Sequence, residues 1–208
     1  MSILHKLSSS LGRRDEVPNQ ELAREVAGAE DKKAIKELVD NLANKSKAIQ
    51  NDCIKVLYEV GALKPGLIAG YTPHFLPLLQ SKNNRLQWGA MTALNYISNL
   101  KPEEIYAHLS QILAAADKGS VITRDNAVGI LINLAGNPEY AQDALPLLME
   151  QIRSSPPNQV PMYAERALPV IDAQQREEFV STLQSRLEDM EKESKRKRVE
   201  KVIDLLRV

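Results

Sequence analysis

Apolar side chains recur along this chain in groups of four, at offsets 0, 3, 4 and 7. The groups begin at positions 53, 90, 127 and 164, so each starts 37 residues after the one before. Cys53, Val56, Leu57 and Val60 form the first, and Ala90, Ala93, Leu94 and Ile97 the second. Ala127, Ile130, Leu131 and Leu134 form the third, and Ala164, Ala167, Leu168 and Ile171 the fourth. These offsets mark one face of an α-helix. A fixed register over four copies predicts a helical repeat array, in which no unit is large enough to bury its apolar face alone and successive units stack.

A shorter amphipathic helix precedes each of these and keeps the same register at Leu38 and Val39, Phe75 and Leu76, and Ile112 and Leu113. In the fourth unit Met149 holds the first position and Glu150 the second. The turns between paired helices end at Ser46, Asn83, Ser120 and Pro157, again at the repeat spacing; the first three are good N-cap residues. The pattern predicts helix pairs over 31–61, 71–100, 103–136 and 138–172, and a final pair over 173–191 and 194–207. In that last pair the best quartet, Val199, Val202, Ile203 and Leu206, starts 35 residues after Ala164 rather than 37, so 173–208 reads as a shortened C-terminal cap repeat. A preceding helix over 19–28, with Leu22, Ala23 and Val26 on one face, closes the other end. Residues 1–18, with three consecutive serines and a Gly-Arg-Arg turn, are expected to be a flexible segment. The fold class is therefore all-α: an α-solenoid of about five antiparallel helix pairs, as one domain over 19–208.

Composition narrows the function classes. The 208 residues are 43% hydrophobic and 26% charged, which suits a folded chain, and 27 basic against 27 acidic residues leave no overall field toward nucleic acid or an anionic membrane. The single cysteine, Cys53, occupies a core position, and no stretch approaches a membrane span, so a reducing, cytoplasmic setting is expected. His5, His74 and His108 lie on separate elements without a partner at metal spacing. There is no Gly-rich phosphate loop and no serine elbow. Glu103-Glu104 and Glu177-Glu178 sit in first turns of helices, where negative charge favours the helix dipole. The basic run from Lys195 to Arg198 could serve as a phosphate or nuclear-import patch, but it is bounded by Glu191, Glu193 and Glu200, which favours a solvated helix face. A non-catalytic protein with no cofactor and no metal is expected.

Two helices per unit, a period near 40, prolines in first helices (Pro73, Pro77, Pro146) and a second helix reading apolar-basic-x-x-Ala-x-x-Ala-Leu resemble the HEAT and armadillo superfamily. Thr123-Arg124-Asp125-Asn126-Ala127 matches its basic position best, whereas Gln50, Gln87 and Pro161 depart from it. The resemblance implies that the second helices line a concave side. The face opposite the core then consists of offsets −5, −2, +2 and +5 from each quartet's first residue. Offset −5 carries Ala48, Arg85, Ile122 and Gln159; offset −2 carries Asn51, Trp88, Asp125 and Met162. Offset +2 carries Lys55, Thr92, Gly129 and Arg166; offset +5 carries Tyr58, Asn95, Ile132 and Pro169.

Trp88 is the only tryptophan, and Trp, Tyr and Arg dominate interface energetics. The expected site comprises Lys55, Tyr58, Arg85, Trp88, Thr92, Asn95, Asp125 and Arg166, binding a partner protein or peptide in the concave groove. The bland alternative has Trp88 packing on the neighbouring unit's helix. Ile54, Met91 and Val128, at offset +1, are expected to pack between units, and Gly89 and Gly129 to permit close helix approach. An alternative function is nucleic-acid binding or DNA repair, as in the HEAT-like alkylpurine DNA glycosylases, with Lys45, Lys82 and Lys118 near the same turn of three units. Zero net charge and 4% aromatic residues weigh against it.

Overall fold

The computed structural model describes residues 2–207, and every regular element among them is helical. In chain order these are α1 (Val17–Ala29), α2 (Lys32–Asp40), α3 (Lys47–Leu63), α4 (Thr72–Phe75), α5 (Asn84–Ile97), α6 (Pro102–Ala107), α7 (Leu109–Lys118), α8 (Val121–Ala135), α9 (Ala141–Ser154), α10 (Val160–Ala167), α11 (Arg176–Ser185) and α12 (Glu193–Arg207). The residues gather into two compact units, one ending at Ala127 and one beginning at Val128, where the periodicity expects one domain. A stacked array has no single shared core, because each repeat touches only its neighbours.

In the first unit, α3 packs against both α1 and α5. Its quartet, Cys53, Val56, Leu57 and Val60, is wholly withdrawn from solvent, and so are Ala90, Ala93, Leu94 and Ile97 of α5. Second helices begin where the turn residues place them. The side chain of Ser46 accepts from the Ile49 N–H, Asn83 from the Arg85 N–H, and Ser120 from the Thr123 N–H. The first helix of the second repeat is short, and the chain tightens into a 3₁₀ stretch over Leu76–Gln80. There Pro77 lacks an N–H and clashes with the carbonyl one turn earlier. Ile54 and Met91 are completely buried. Gly89 explains how α3 and α5 approach: a Cβ at this position would lie 2.6 Å from Ile54 Cγ1.

Residues 2–16 make specific contacts with the helices that follow; Met1 lies outside the described residues. Leu7 is completely buried. Glu37 accepts from the Ser2 hydroxyl and, at 3.1 Å, from the Ile3 N–H. Asp52 accepts from the Ser9 N–H at 2.8 Å and from Asn19 Nδ2 at 2.7 Å, while Asn19 Oδ1 takes the Ser8 N–H. Lys6 pairs with Glu25. Gly12, at φ 68°, supplies the left-handed residue that turns the segment toward α1.

In the second unit, α9 packs against α10 and α11, and α12 against α10 and α11. Ala164 and Ala167 are buried, but Leu168 and Ile171 are only half-buried. Pro169 ends the α-helix and turns Leu168–Val170 into 3₁₀ geometry, so the fourth quartet is kept in part. In α12, Val199, Val202, Ile203 and Leu206 are the buried residues, as the shortened spacing predicts; Val208 lies outside the described residues. The carbonyls at the C-terminal end of α9 are closed from outside the helix. Arg186, 8% exposed, donates to the carbonyls of Ile152, Arg153 and Ser155 while pairing with Asp189.

Gly89→Ala gains helix propensity worth about 1 kcal/mol but forces a methyl into Ile54, a strain of about 1–3 kcal/mol. A net fall in Tm of a few degrees is expected in thermal unfolding, and a rise would show that Ile54 yields freely. Arg186→Ala removes a donor from three carbonyls, of which Ile152 keeps the Ser155 hydroxyl, and should cost about 2–4 kcal/mol in urea unfolding. Arg186→Lys should recover little, since one ammonium cannot span the carbonyls that the guanidinium fork reaches.

Candidate binding site on the second helices

The structure draws four of the expected site residues into one cluster across α3 and α5. Tyr58 and Trp88 lie with ring centroids 5.5 Å apart at an interplanar angle of 51°. Lys55 Nζ sits 4.8 Å from the centre of the Tyr58 ring, and the Arg85 guanidinium carbon 5.6 Å from that of Trp88. These contacts join successive repeats, so the bland expectation for Trp88 holds in part: it packs on the preceding unit through Tyr58 while remaining half-buried.

The face is less open than the ladder expects. Lys55 is 5% exposed, Tyr58 8% and Thr92 9%. A buried ammonium is tolerated only when paired. Lys55 Nζ meets Glu59 Oε1 at 2.5 Å, one helical turn along α3, and Glu16 Oε2 at 2.9 Å. Desolvation pushes the Lys55 amine down, but hydrogen bonding to Glu59 and to Tyr58 outweighs it and holds its pKa above the ordinary value. Burial raises the Tyr58 phenol, against the opposing pull of Lys55. The other Glu16 oxygen, Oε1, accepts from Arg85 NH2, so one carboxylate joins cations from two repeats.

Thr92, Asn95 and their neighbours form a polar lattice beside this cluster. Thr92 donates to the Trp88 carbonyl at 2.8 Å and accepts from Asn126 Nδ2 at 3.1 Å, and Asn95 Nδ2 donates to Asn126 Oδ1 at 3.0 Å. One repeat earlier, Asn83 Nδ2 donates to Asn51 Oδ1 at 2.8 Å while its Oδ1 caps α5. Asp125 is half-buried in α8, and Arg166 is exposed on α10 in the second unit. Glu16, Glu59 and Asn126 are the participants that sequence reasoning missed. Asn126 immediately precedes a core position in the matched run Thr123 to Ala127, a position the ladder offsets skip. Glu16 lies outside every repeat and gives no periodic signal at all.

Among the described residues no group of three or more His, Cys, Asp or Glu side chains is placed to hold a metal ion, and no helix is long and apolar enough to cross a membrane. Cys53 is completely buried, and its thiol is pushed up to about 12, chiefly by desolvation and further by the carboxylates of Asp52 and Glu37.

No family model and no curated protein matches the chain in sequence. Solved structures do match it. A computationally designed armadillo repeat protein for modular peptide recognition aligns over 97% of this chain and 97% of its own, with TM-score 0.65 and 17% identity. A designed armadillo repeat protein in complex with the peptide (KR)4 aligns over 99% and 100%, with TM-score 0.66 and 17% identity. An engineered protein aligns over 100% and 97%, with TM-score 0.62 and 21% identity.

With its thiolate form at about one part in ten thousand at pH 8, and the sulfur sealed from solvent, Cys53 should be inert to a disulfide reagent in the native protein. Complete reaction is expected in guanidinium; rapid native reaction would mean that the first repeat opens. The periodic quartets, the capped second helices and the structural matches together give the chain the all-α, helical-repeat fold of the armadillo and HEAT solenoids.

Proposed function

We propose that this chain is a non-catalytic interaction scaffold that binds an extended peptide segment of a partner protein on the face of α3 and α5 opposite their core. The observation that carries this reading is the Tyr58–Trp88 pair flanked by Lys55 and Arg85. Interfaces draw most of their energy from a few aromatic and arginine side chains, and here a half-buried tryptophan is already oriented by a tyrosine and a guanidinium. Thr92, Asn95 and Asp125 extend the proposed face within the first unit, and Arg166 is a separate proposed contact on the second. The complex of a designed armadillo protein with (KR)4 supports peptide binding as a use of this fold. The nucleic-acid reading is weakened at Arg85, whose guanidinium is already paired with Glu16.

The test is selection of a random peptide library on the full chain. Peptides enriched on the wild type should bind Trp88→Ala at least tenfold more weakly, about 1.4 kcal/mol or more, while its Tm moves by only a few degrees. Equal binding by the variant, or loss of its folded baseline, would sink the proposal.

A further inference from the structure

Glu16 stands at the N-cap position of α1, yet its side chain accepts nothing from that helix. Asp15 takes the neighbouring N–H instead, accepting from Val17 at 3.0 Å. The Glu16 carboxylate crosses to the second helices and splits its oxygens between Lys55 and Arg85, beside the Trp88 ring. The two sides of this contact differ in permanence. The Lys55 side chain is 6% exposed and is built into α3 with Glu59, whereas the Glu16 side chain is 41% exposed, on a stretch where residues 13–15 are exposed too. Arg85 also keeps a donor in reserve: its Nε is buried without an acceptor among the described residues. Glu16 takes only NH2 of the guanidinium fork; Nε is sealed from solvent here and meets an acceptor side-on only if the Arg85 side chain turns outward.

Without Glu16, the groups facing one another here would be Lys55, Arg85 and Glu59, an excess of one positive charge against the aromatic pair. We infer that the Lys55–Arg85–Trp88 cluster is a carboxylate-recognition site, that Glu16 is its intramolecular occupant, and that the partner is an extended segment carrying Glu or Asp side chains which displaces it. This rests on the peptide-binding reading above and gives the site a polarity opposite to that of a (KR)4 ligand. A partner's acid replaces one already present, and Lys55 does not depend on Glu16 alone for its counter-charge, since Glu59 pairs with it too. Selectivity follows from the same groups: a basic peptide would face Lys55 and Arg85 as like charges, while an acidic one meets them as partners.

Fluorescence anisotropy with labelled (ED)4 and (KR)4 octapeptides tests this on the full chain, as wild type, Glu16→Gln, Arg85→Gln and Trp88→Ala. Because Glu16 caps no N–H of α1, Glu16→Gln is expected to fold, and its melting curve checks this. (ED)4 should bind Glu16→Gln about tenfold more tightly than wild type, and less tightly as salt rises. Arg85→Gln should weaken it in the otherwise wild-type chain, a result that does not depend on the Glu16 variant. Unchanged (ED)4 affinity in Glu16→Gln with a lowered Tm would make Glu16 a structural strap and overturn the inference. If (KR)4 binds in a Trp88-dependent way and (ED)4 does not, the inference fails while the scaffold reading stands. If neither peptide binds any variant, the inference falls, and the library selection alone decides the scaffold reading.

Discussion

Each helix pair in this chain has an apolar face that only another helix pair can cover, and the remaining structure follows from that constraint. The quartets at a spacing of 37 residues are sealed from water along α3 and α5. Once two second helices are locked through their cores, their opposite faces come into register whatever residues lie there. Trp88 meets Tyr58, and Asn126 meets Thr92, because the core spacing brings those offsets together. Gly89 belongs to the same constraint, since the α3–α5 approach leaves no room for a Cβ beside Ile54.

The register also creates an electrostatic debt. Stacking buries Lys55, and a buried ammonium without a counter-charge would cost several kcal/mol. Glu59, one turn along, discharges that debt from within the same helix. Glu16 is therefore in excess of what Lys55 needs, while also serving Arg85, which has no carboxylate of its own repeat paired with it among the described residues. One carboxylate on Lys55 thus comes from its own helix, and the second comes from a segment outside the repeats.

The core was legible in the sequence, because burial of a helix face is periodic and periodicity survives without knowledge of contacts. The N-caps were legible for the same reason, as Ser46, Asn83 and Ser120 recur with the cores. Exposure of the opposite face was not. Lys55, Tyr58 and Thr92 lie at the right angles on their helices, yet angle alone does not report how closely the adjacent repeat approaches. The contacts of residues 2–16 were not legible, because their Ser, Gly and Arg content is that of a solvated loop. Their order comes instead from carboxylates far away in the sequence, Glu37, Asp52 and Glu25, and from Glu16 reaching Arg85 across 69 positions.

Net charge was the least informative quantity, and the reason bears on recognition. Zero overall charge argues against a long-range field, but it says nothing about a site where two cations and two carboxylates are held within a few ångströms. At that range the interaction depends on which acid is present rather than on the protein's total charge. A scaffold built this way gains little from electrostatic steering over distance. On the proposed carboxylate-recognition reading, discrimination falls at contact, where the planar Arg85 fork beside the Trp88 ring can meet a carboxylate with paired donors.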